Sequence, residues 1–238
     1  MREACALCLR SRELQNSHVI PEFMYEWLYD DKHRFHTLHL VPKVRRRFEQ
    51  KRLREKLLCK ECEQQIAKYE RYTSFLLRGD IQLAGQTFGK LVVVSPIDYR
   101  MLRLFLLSVL WRSAVSKLEF FSHVTLGPHD ERLRLMLKDE ETSPAWRYGC
   151  LIAAPLLMDQ LHHDVMMQPT EARSQEGIRV YRFLFGGLAW IFFVSDHKHS
   201  NGVETASLGE QGELRILKVD MRDLQQLDES MKRLYEAL

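Results

Sequence analysis

The spacing of hydrophobic residues changes between the first and second halves of the chain. Over 43–73, 96–117 and 130–138, apolar positions recur every three or four residues, which is the spacing of one helix face. From residue 148 onward, short β-branched and aromatic runs are separated by turn residues, which is typical of strands. The pattern predicts an α+β fold with core helices within 96–140 and an antiparallel sheet over 148–220.

Two elements of the second half are predicted in more detail. The segment 179–192 contains two apolar strands joined by Gly186-Gly187, a pair that can adopt the positive φ of a tight hairpin turn. After Asp220, apolar residues recur with alternating spacings of three and four, which predicts an amphipathic helix over 221–238. Two heptads are too few for an independent coiled coil, so we expect this terminal helix to dock on its own sheet.

Length and composition are those of an ordinary globular protein. The chain has 238 residues, and its net charge of +3 is too small to indicate a class of partner. The longest apolar stretch, Leu102–Trp111, contains Arg103 and is too short to cross a bilayer. The first residues form no apolar leader, so we expect a cytoplasmic protein that does not bind membranes.

Four of the five cysteines form two Cys-x-x-Cys pairs, Cys5 with Cys8 and Cys59 with Cys62. Each pair can bind one metal ion through two thiolates, and together they complete the four-thiolate shell of a structural Zn²⁺. Disulfides would need an oxidising compartment, and a thioredoxin-like redox pair would need a βαβ setting that neither pair has. We therefore predict one zinc ion bound by all four. Cys150 lies in an apolar run and is expected to be buried.

A dense basic tract lies in the segment enclosed by the two cysteine pairs. Eight Lys or Arg fall between positions 43 and 56, against two glutamates. Such a density attracts phosphate backbones, with the release of counterions as the driving force, whereas the alternative is a solvated helix face. The predicted nucleic-acid-binding residues are Lys43, Arg45, Arg46, Arg47, Lys51, Arg52, Arg54 and Lys56.

The order of these motifs resembles the HNH family of nucleases, also called His-Me finger or ββα-metal nucleases. In that family a Cys-x-x-Cys pair precedes an acid, a histidine, two hydrophobic residues and a proline, and Leu-Cys-x-x-Cys with His or Asn follows. The matching pieces here are Cys5 to Cys8, Ser17-His18-Val19-Ile20-Pro21, and Leu58 to Glu63. The resemblance implies a zinc-stapled ββα-type unit over 1–78, followed by an α+β domain over 79–238.

The resemblance also implies a hydrolytic site. It makes His18 the general base for the water that attacks a phosphodiester, since imidazole titrates near neutrality. A catalytic Mg²⁺ or Mn²⁺ beside it would neutralise the developing charge. Two positions depart from the family pattern, because Ser17 replaces the acid and Glu63 replaces the His or Asn. Glu63 is then the second catalytic candidate and the candidate ligand of this ion, with Glu70 on the same helix face.

Three functions follow from these observations. The first is a metal-dependent endonuclease, which the segment from His18 to Pro21 favours. The second is a non-catalytic zinc-stabilised module that binds nucleic acid or a protein partner, which Ser17 and Glu63 favour. The third is an adaptor whose C-terminal sheet binds a partner or a small ligand. The sequence indicates neither the oligomeric state nor what the second half recognises.

Overall fold

The computed structural model has an α+β fold in which helices pack on a large sheet. Its α-helices are α1 (Lys60–Arg78), α2 (Tyr99–Val115) and α3 (His129–Lys138). Short 3₁₀ turns lie at Glu22–Met24, Glu26–Leu28 and Glu119–Phe121. The structure describes residues 3–29, 31–32, 35–39, 45–49, 53–157, 160–161, 166–174, 176–198 and 207–220.

The strands are numbered in chain order. Those before α1 are β1 (Glu3–Ala4), β2 (Ser11–Arg12), β3 (Leu14–His18), β4 (Phe35–His39), β5 (Arg45–Glu49) and β6 (Arg54–Cys59). Between α1 and α2 lie β7 (Ala84–Phe88) and β8 (Leu91–Ser95). After α3 come β9 (Cys150–Leu157), β10 (Gln160–Leu161), β11 (Met167–Arg173), β12 (Arg179–Phe185), β13 (Leu188–Val194), β14 (Leu208–Gly209) and β15 (Glu213–Asp220).

The predicted C-terminal sheet is present and is larger than expected. Its strands follow the order β5-β4-β11-β12-β13-β9-β15-β8-β7, with β10 beside β9 and β14 beside β15. Most neighbours are antiparallel, but β4 pairs with β11, and β9 with β15, in parallel. Two hairpins from earlier in the chain, β4–β5 and β7–β8, therefore extend the sheet at its two ends. The predicted terminal helix over 221–238 lies outside the described residues.

The hairpin between β12 and β13 is confirmed in the predicted register. Phe185 pairs with Leu188 across the turn, and Gly186 and Gly187 have φ values of 62° and 72°. Two consecutive residues with positive φ define the type I′ class of hairpin turn, which fits the twist of the flanking strands. The turn residues thus specify the register of the most regular strand pair in the sheet.

The N-terminal unit has the expected ββα order, but the described part of its basic tract is not helical. β3 and β6 pair in antiparallel fashion, and α1 follows β6 directly. The helix predicted to begin near residue 43 begins instead at Lys60, so the first part of that prediction is wrong. Arg, Lys, Glu and Leu have high intrinsic helix propensity. Pairing of β5 with β4 and of β6 with β3 overrides it here.

Helix α1 presents one apolar stripe to the core. Ile66, Tyr69 and Leu76 are buried at the spacing of a single helix face. The helix ends at Gly79, whose φ is 79° and whose N–H donates to the carbonyl of Leu76. This left-handed ending lets the chain turn back towards β7 without a Cβ clash.

Helix α2 is the central core helix, as predicted, but it begins three residues later than expected. Asp98 caps it by accepting a hydrogen bond from the N–H of Met101 at 3.0 Å. Its Phe105 ring lies 6.4 Å from Trp190 of β13, so α2 packs directly on the sheet. No helix in the described ranges is long and apolar enough to span a membrane.

One hydrophobic core links the zinc-motif segment to the sheet. The buried residues form a single cluster that runs from Cys5 through α1 and α2 to Leu214. Phe23, which follows β3, also lies 6.2 Å from Phe105. The boundary between residues 78 and 79 stays a prediction, and the packing across it is continuous.

Candidate metal centre and adjoining polar site

The four paired cysteines come from two segments of the chain that the fold brings together. Cys5 and Cys8 lie in the turn that connects β1 and β2, Cys59 ends β6, and Cys62 lies in the first turn of α1. The N–H of Ala6 donates to the carbonyl of Leu57 at 3.0 Å, which holds the turn against β6. Pairing of β3 with β6 therefore delivers both cysteine pairs to one place.

The sulfur atoms of this cluster have the spacing of a four-coordinate metal site. All four lie within 4.8 Å of one another, and Sγ of Cys8 is 3.8 Å from Sγ of Cys59. A tetrahedral ion with metal–sulfur bonds of about 2.3 Å separates its sulfurs by about 3.8 Å. The N–H of Cys59 also donates to Sγ of Cys5 at 3.2 Å, as expected for a thiolate ligand. The four cysteines can therefore hold one metal ion.

Helix α3 supports the cysteine turn from outside the N-terminal unit. Arg134 is buried, and its Nη1 donates to the carbonyl of Leu7 at 2.6 Å. Glu131 accepts from Nε and Nη2 of the same guanidinium at 2.7 and 2.6 Å. A two-pronged pair of this kind fixes the orientation of the arginine. The geometry of the turn between Cys5 and Cys8 thus depends on α3 as well as on β6.

His18 ends β3 and is engaged by an arginine. Nε of Arg54 lies 2.5 Å from Nε2 of His18, and Nη2 of Arg54 donates to Oε2 of Glu22 at 2.8 Å. A guanidinium can only donate, so Nε2 is the accepting nitrogen of the ring. In a neutral imidazole the ring hydrogen then sits on Nδ1. The lone pair of Nε2 is occupied by Arg54, so His18 does not present a proton-accepting nitrogen in this arrangement.

Glu63 lies beside the strand end, as the motif order predicts, but it is bound by Ser17. Oγ of Ser17 donates to Oε2 of Glu63 at 2.7 Å and accepts from the N–H of Leu58 at 3.2 Å. Burial raises the pKa of Glu63, while the Ser17 hydroxyl and the nearby Arg112 charge act in the opposite direction. Among the described residues, only the four cysteines group closely enough to hold a metal. Glu63 is not part of that group, and its role as a ligand of Mg²⁺ or Mn²⁺ stays a prediction.

A buried arginine from α2 closes this site from the core side. Nη1 of Arg112 donates both to the carbonyl of His18 and to Oε1 of Glu70, each at 2.7 Å. Its Nε and Nη2 are held by the backbone carbonyl and the hydroxyl of Ser108, each at 3.2 Å. Only 1% of the Arg112 side chain is exposed, against 21% for Glu70. The position of His18 is thus coupled to the core helix of the following region.

The basic tract is divided between two locations. Arg54 and Lys56 lie on β6 and make internal contacts, Arg54 with His18 and Glu22, and Lys56 through Nζ with the carbonyl of Leu14 at 2.9 Å. Three consecutive arginines form most of β5, which ends the strand order of the sheet. They are Arg45, Arg46 and Arg47. Lys43, Lys51 and Arg52 lie outside the described residues.

Sequence reasoning did not find three of the residues that surround His18. Glu22 lies four residues after His18 and could have been noticed as a nearby carboxylate. Arg54 was assigned to backbone binding with the rest of its tract. Arg112 gave no local signal, because a single arginine in an apolar helix is usually placed at the solvent edge.

Comparison with known proteins adds no further restraint. Searches against protein-family models, curated proteins and solved structures found no match to this chain.

Proposed function

We propose that this protein is a zinc-stabilised, HNH-like module that binds the phosphate backbone of nucleic acids. The carrying observation is the arginine-rich strand β5, which ends the strand order of the large sheet and precedes β6, the strand that carries Cys59. The proposed cellular location is the cytoplasm, where thiols stay reduced.

Zinc is the proposed metal because of the donor set. Four thiolates in a closed, largely buried cluster suit a structural Zn²⁺, which needs no open coordination position. The cluster joins β6 and α1 to the turn after β1, so the ion would connect segments from the two ends of the N-terminal unit. The proposed role of the zinc ion is structural.

Backbone binding is proposed because of how the basic residues are placed. Three of the eight lie in β5, two make contacts inside the unit, and the other three lie outside the described residues. A two-stranded ribbon can enter or cross a nucleic-acid groove. Contacts between positive side chains and phosphates do not distinguish one base sequence from another. We therefore expect binding without a strong sequence preference.

Replacing Arg45, Arg46 and Arg47 together by Gln is expected to weaken the binding of DNA and RNA duplexes of any sequence. Each lost phosphate contact removes nearly one released counterion, so the slope of log affinity against log salt should fall by up to about three. Fluorescence anisotropy at several salt concentrations measures both quantities. The matched control replaces Lys60, Lys68 and Arg71, which are exposed on α1, by Gln.

The proposal fails if the β5 variant binds as the parent does, or if the control variant loses as much affinity as the β5 variant. The first result would make the tract a solvated strand. The second would mean that net charge alone, and no particular surface, governs association.

Phosphodiester hydrolysis is the second candidate, favoured by the position of His18. Its Nε2 lies 3.5 Å from Oε2 of Glu22, the spacing of a carboxylate that could orient an imidazole base after a small rotation. Incubation of the parent with plasmid DNA and structured RNA, with added Mg²⁺ or Mn²⁺, tests this activity. Cleavage that is lost in His18→Ala, with affinity and zinc content unchanged, would establish it. No cleavage by the parent would eliminate it.

A further inference from the structure

Three partly exposed side chains next to the strand end form a charged triad. His18, Glu22 and Arg54 have 21%, 27% and 23% of their side chains exposed. Arg54 lies between the other two, with Nε on His18 and Nη2 on Glu22. None of the three belongs to the four-cysteine cluster, and their partial exposure lets an anion in solution reach them.

The hydrogen-bonding state of His18 depends on where Arg54 is. With Arg54 in place, Nε2 accepts and Nδ1 carries the hydrogen. Without it, Oε2 of Glu22 becomes the neighbouring acceptor, 3.5 Å from Nε2. The favoured neutral ring would then carry its hydrogen on Nε2 and point it at Glu22, which leaves the lone pair on Nδ1. The proton moves between the two nitrogens through solvent, and no atom is gained or lost.

We propose that Arg54 is a phosphate-recognition residue whose withdrawal by a phosphate group converts His18 into a proton acceptor at Nδ1. The inference deepens the proposed function and rests on its phosphate binding. A partly exposed arginine–carboxylate pair is weak in water, because solvent screens both charges. A backbone phosphodiester offers the same guanidinium two charge-assisted hydrogen bonds, and its negative charge is repeated at every nucleotide of the strand. Arg54 therefore exchanges Glu22 for phosphate. The carboxylate of Glu22 then accepts a hydrogen bond from the Nε2–H of His18.

Nitrogen NMR of the His18 ring tests this exchange directly. In the free protein the expected signals are those of the Nδ1–H tautomer. Addition of a short DNA duplex, or of inorganic phosphate at higher concentration, should move them to the Nε2–H tautomer. A solvent-released imidazole also favours the Nε2–H tautomer, so the backbone amide signals recorded in the same titration must stay those of the folded protein.

Variants separate Arg54 from other arginines. Arg54→Met should show the Nε2–H tautomer without any ligand, and its affinity for the duplex should fall about tenfold or more, as expected for a lost charge-assisted contact. The matched control is Arg78→Met, because Arg78 also forms a partly exposed pair with a glutamate, Glu26. That variant should keep the parent tautomer and lose far less affinity. If Arg54→Met does not fold, the titration of the parent still gives the answer.

The outcomes distinguish this inference from the proposed function. Duplex binding with unchanged His18 signals overturns the role of Arg54 and leaves the proposed function standing. A change of tautomer with inorganic phosphate, but no duplex binding, supports Arg54 and overturns the proposed function. If neither probe changes the ring and the duplex does not bind, both are overturned.

Discussion

Replacing Cys59 by Ser is expected to abolish zinc binding and unfold the N-terminal unit. Cys59 joins β6 to α1, so its thiolate sits where the ββα unit changes direction. A structural zinc site contributes about 10–16 kcal/mol of binding free energy in small peptides, whereas whole domains are stable by about 5–15 kcal/mol. Arg134 of α3 and Arg112 of α2 donate hydrogen bonds to backbone carbonyls of this unit. We therefore expect the amides of both helices to lose protection from hydrogen exchange as well.

Elemental analysis, thiol counting and hydrogen exchange measure the effect. The parent should carry one zinc ion per chain and protect four thiols, whereas Cys59→Ser should lose the zinc and expose the other three. The control is Cys150→Ala, which removes a buried thiol outside the cluster and should keep the metal. Purified parent protein without zinc, and with four freely reactive thiols, would contradict the four-cysteine zinc site.

Replacing Glu70 by Ala is expected to destabilise the protein by about 2–3 kcal/mol. Removing one partner of a fully buried pair typically costs about 3–5 kcal/mol, because the other charge stays buried without compensation. Glu70 is 21% exposed, so water recovers part of that loss, while Arg112 has no such access. For a chain of this size the melting temperature should fall by about 5–10 °C.

A second substitution tests the origin of that loss. Adding Arg112→Met to Glu70→Ala removes the stranded charge, so the double variant should be more stable than Glu70→Ala alone. Glu61→Ala, on the same helix, breaks an exposed pair with Arg12 and should leave stability nearly unchanged, because solvent screens such a pair. Denaturant unfolding of the four proteins measures all of these differences. Equal stability of Glu70→Ala and parent would show that the pair contributes little.

Some of this fold could be predicted because its signals are local. The two-residue spacing within each cysteine pair indicates a metal site, and the four sulfurs do lie within 4.8 Å of one another. Gly186 and Gly187 adopt the turn conformation that their lack of a Cβ allows. The apolar run after Asp98 is buried on nearly every side in its middle, as expected for a core helix.

The rest depends on partners that are distant in sequence. Nothing near Arg45 or Arg54 shows that these residues will lie in strands, because the pairing strands β4 and β3 come earlier in the chain. The environment of His18 is likewise completed by Arg112, from beyond the cysteine motifs. A motif therefore identified the position of the site, but not its hydrogen-bonding state.

The two edges of the described sheet differ in how well they resist the addition of another strand. At one edge, β5 consists of three arginines, a phenylalanine and a glutamate, and such clustered charge opposes stacking of a like strand. At the other edge, all five residues of β7 are exposed, none is charged, and Phe88 is 59% accessible. We therefore expect self-association at high protein concentration to occur by strand pairing at β7. One lysine introduced there should oppose it.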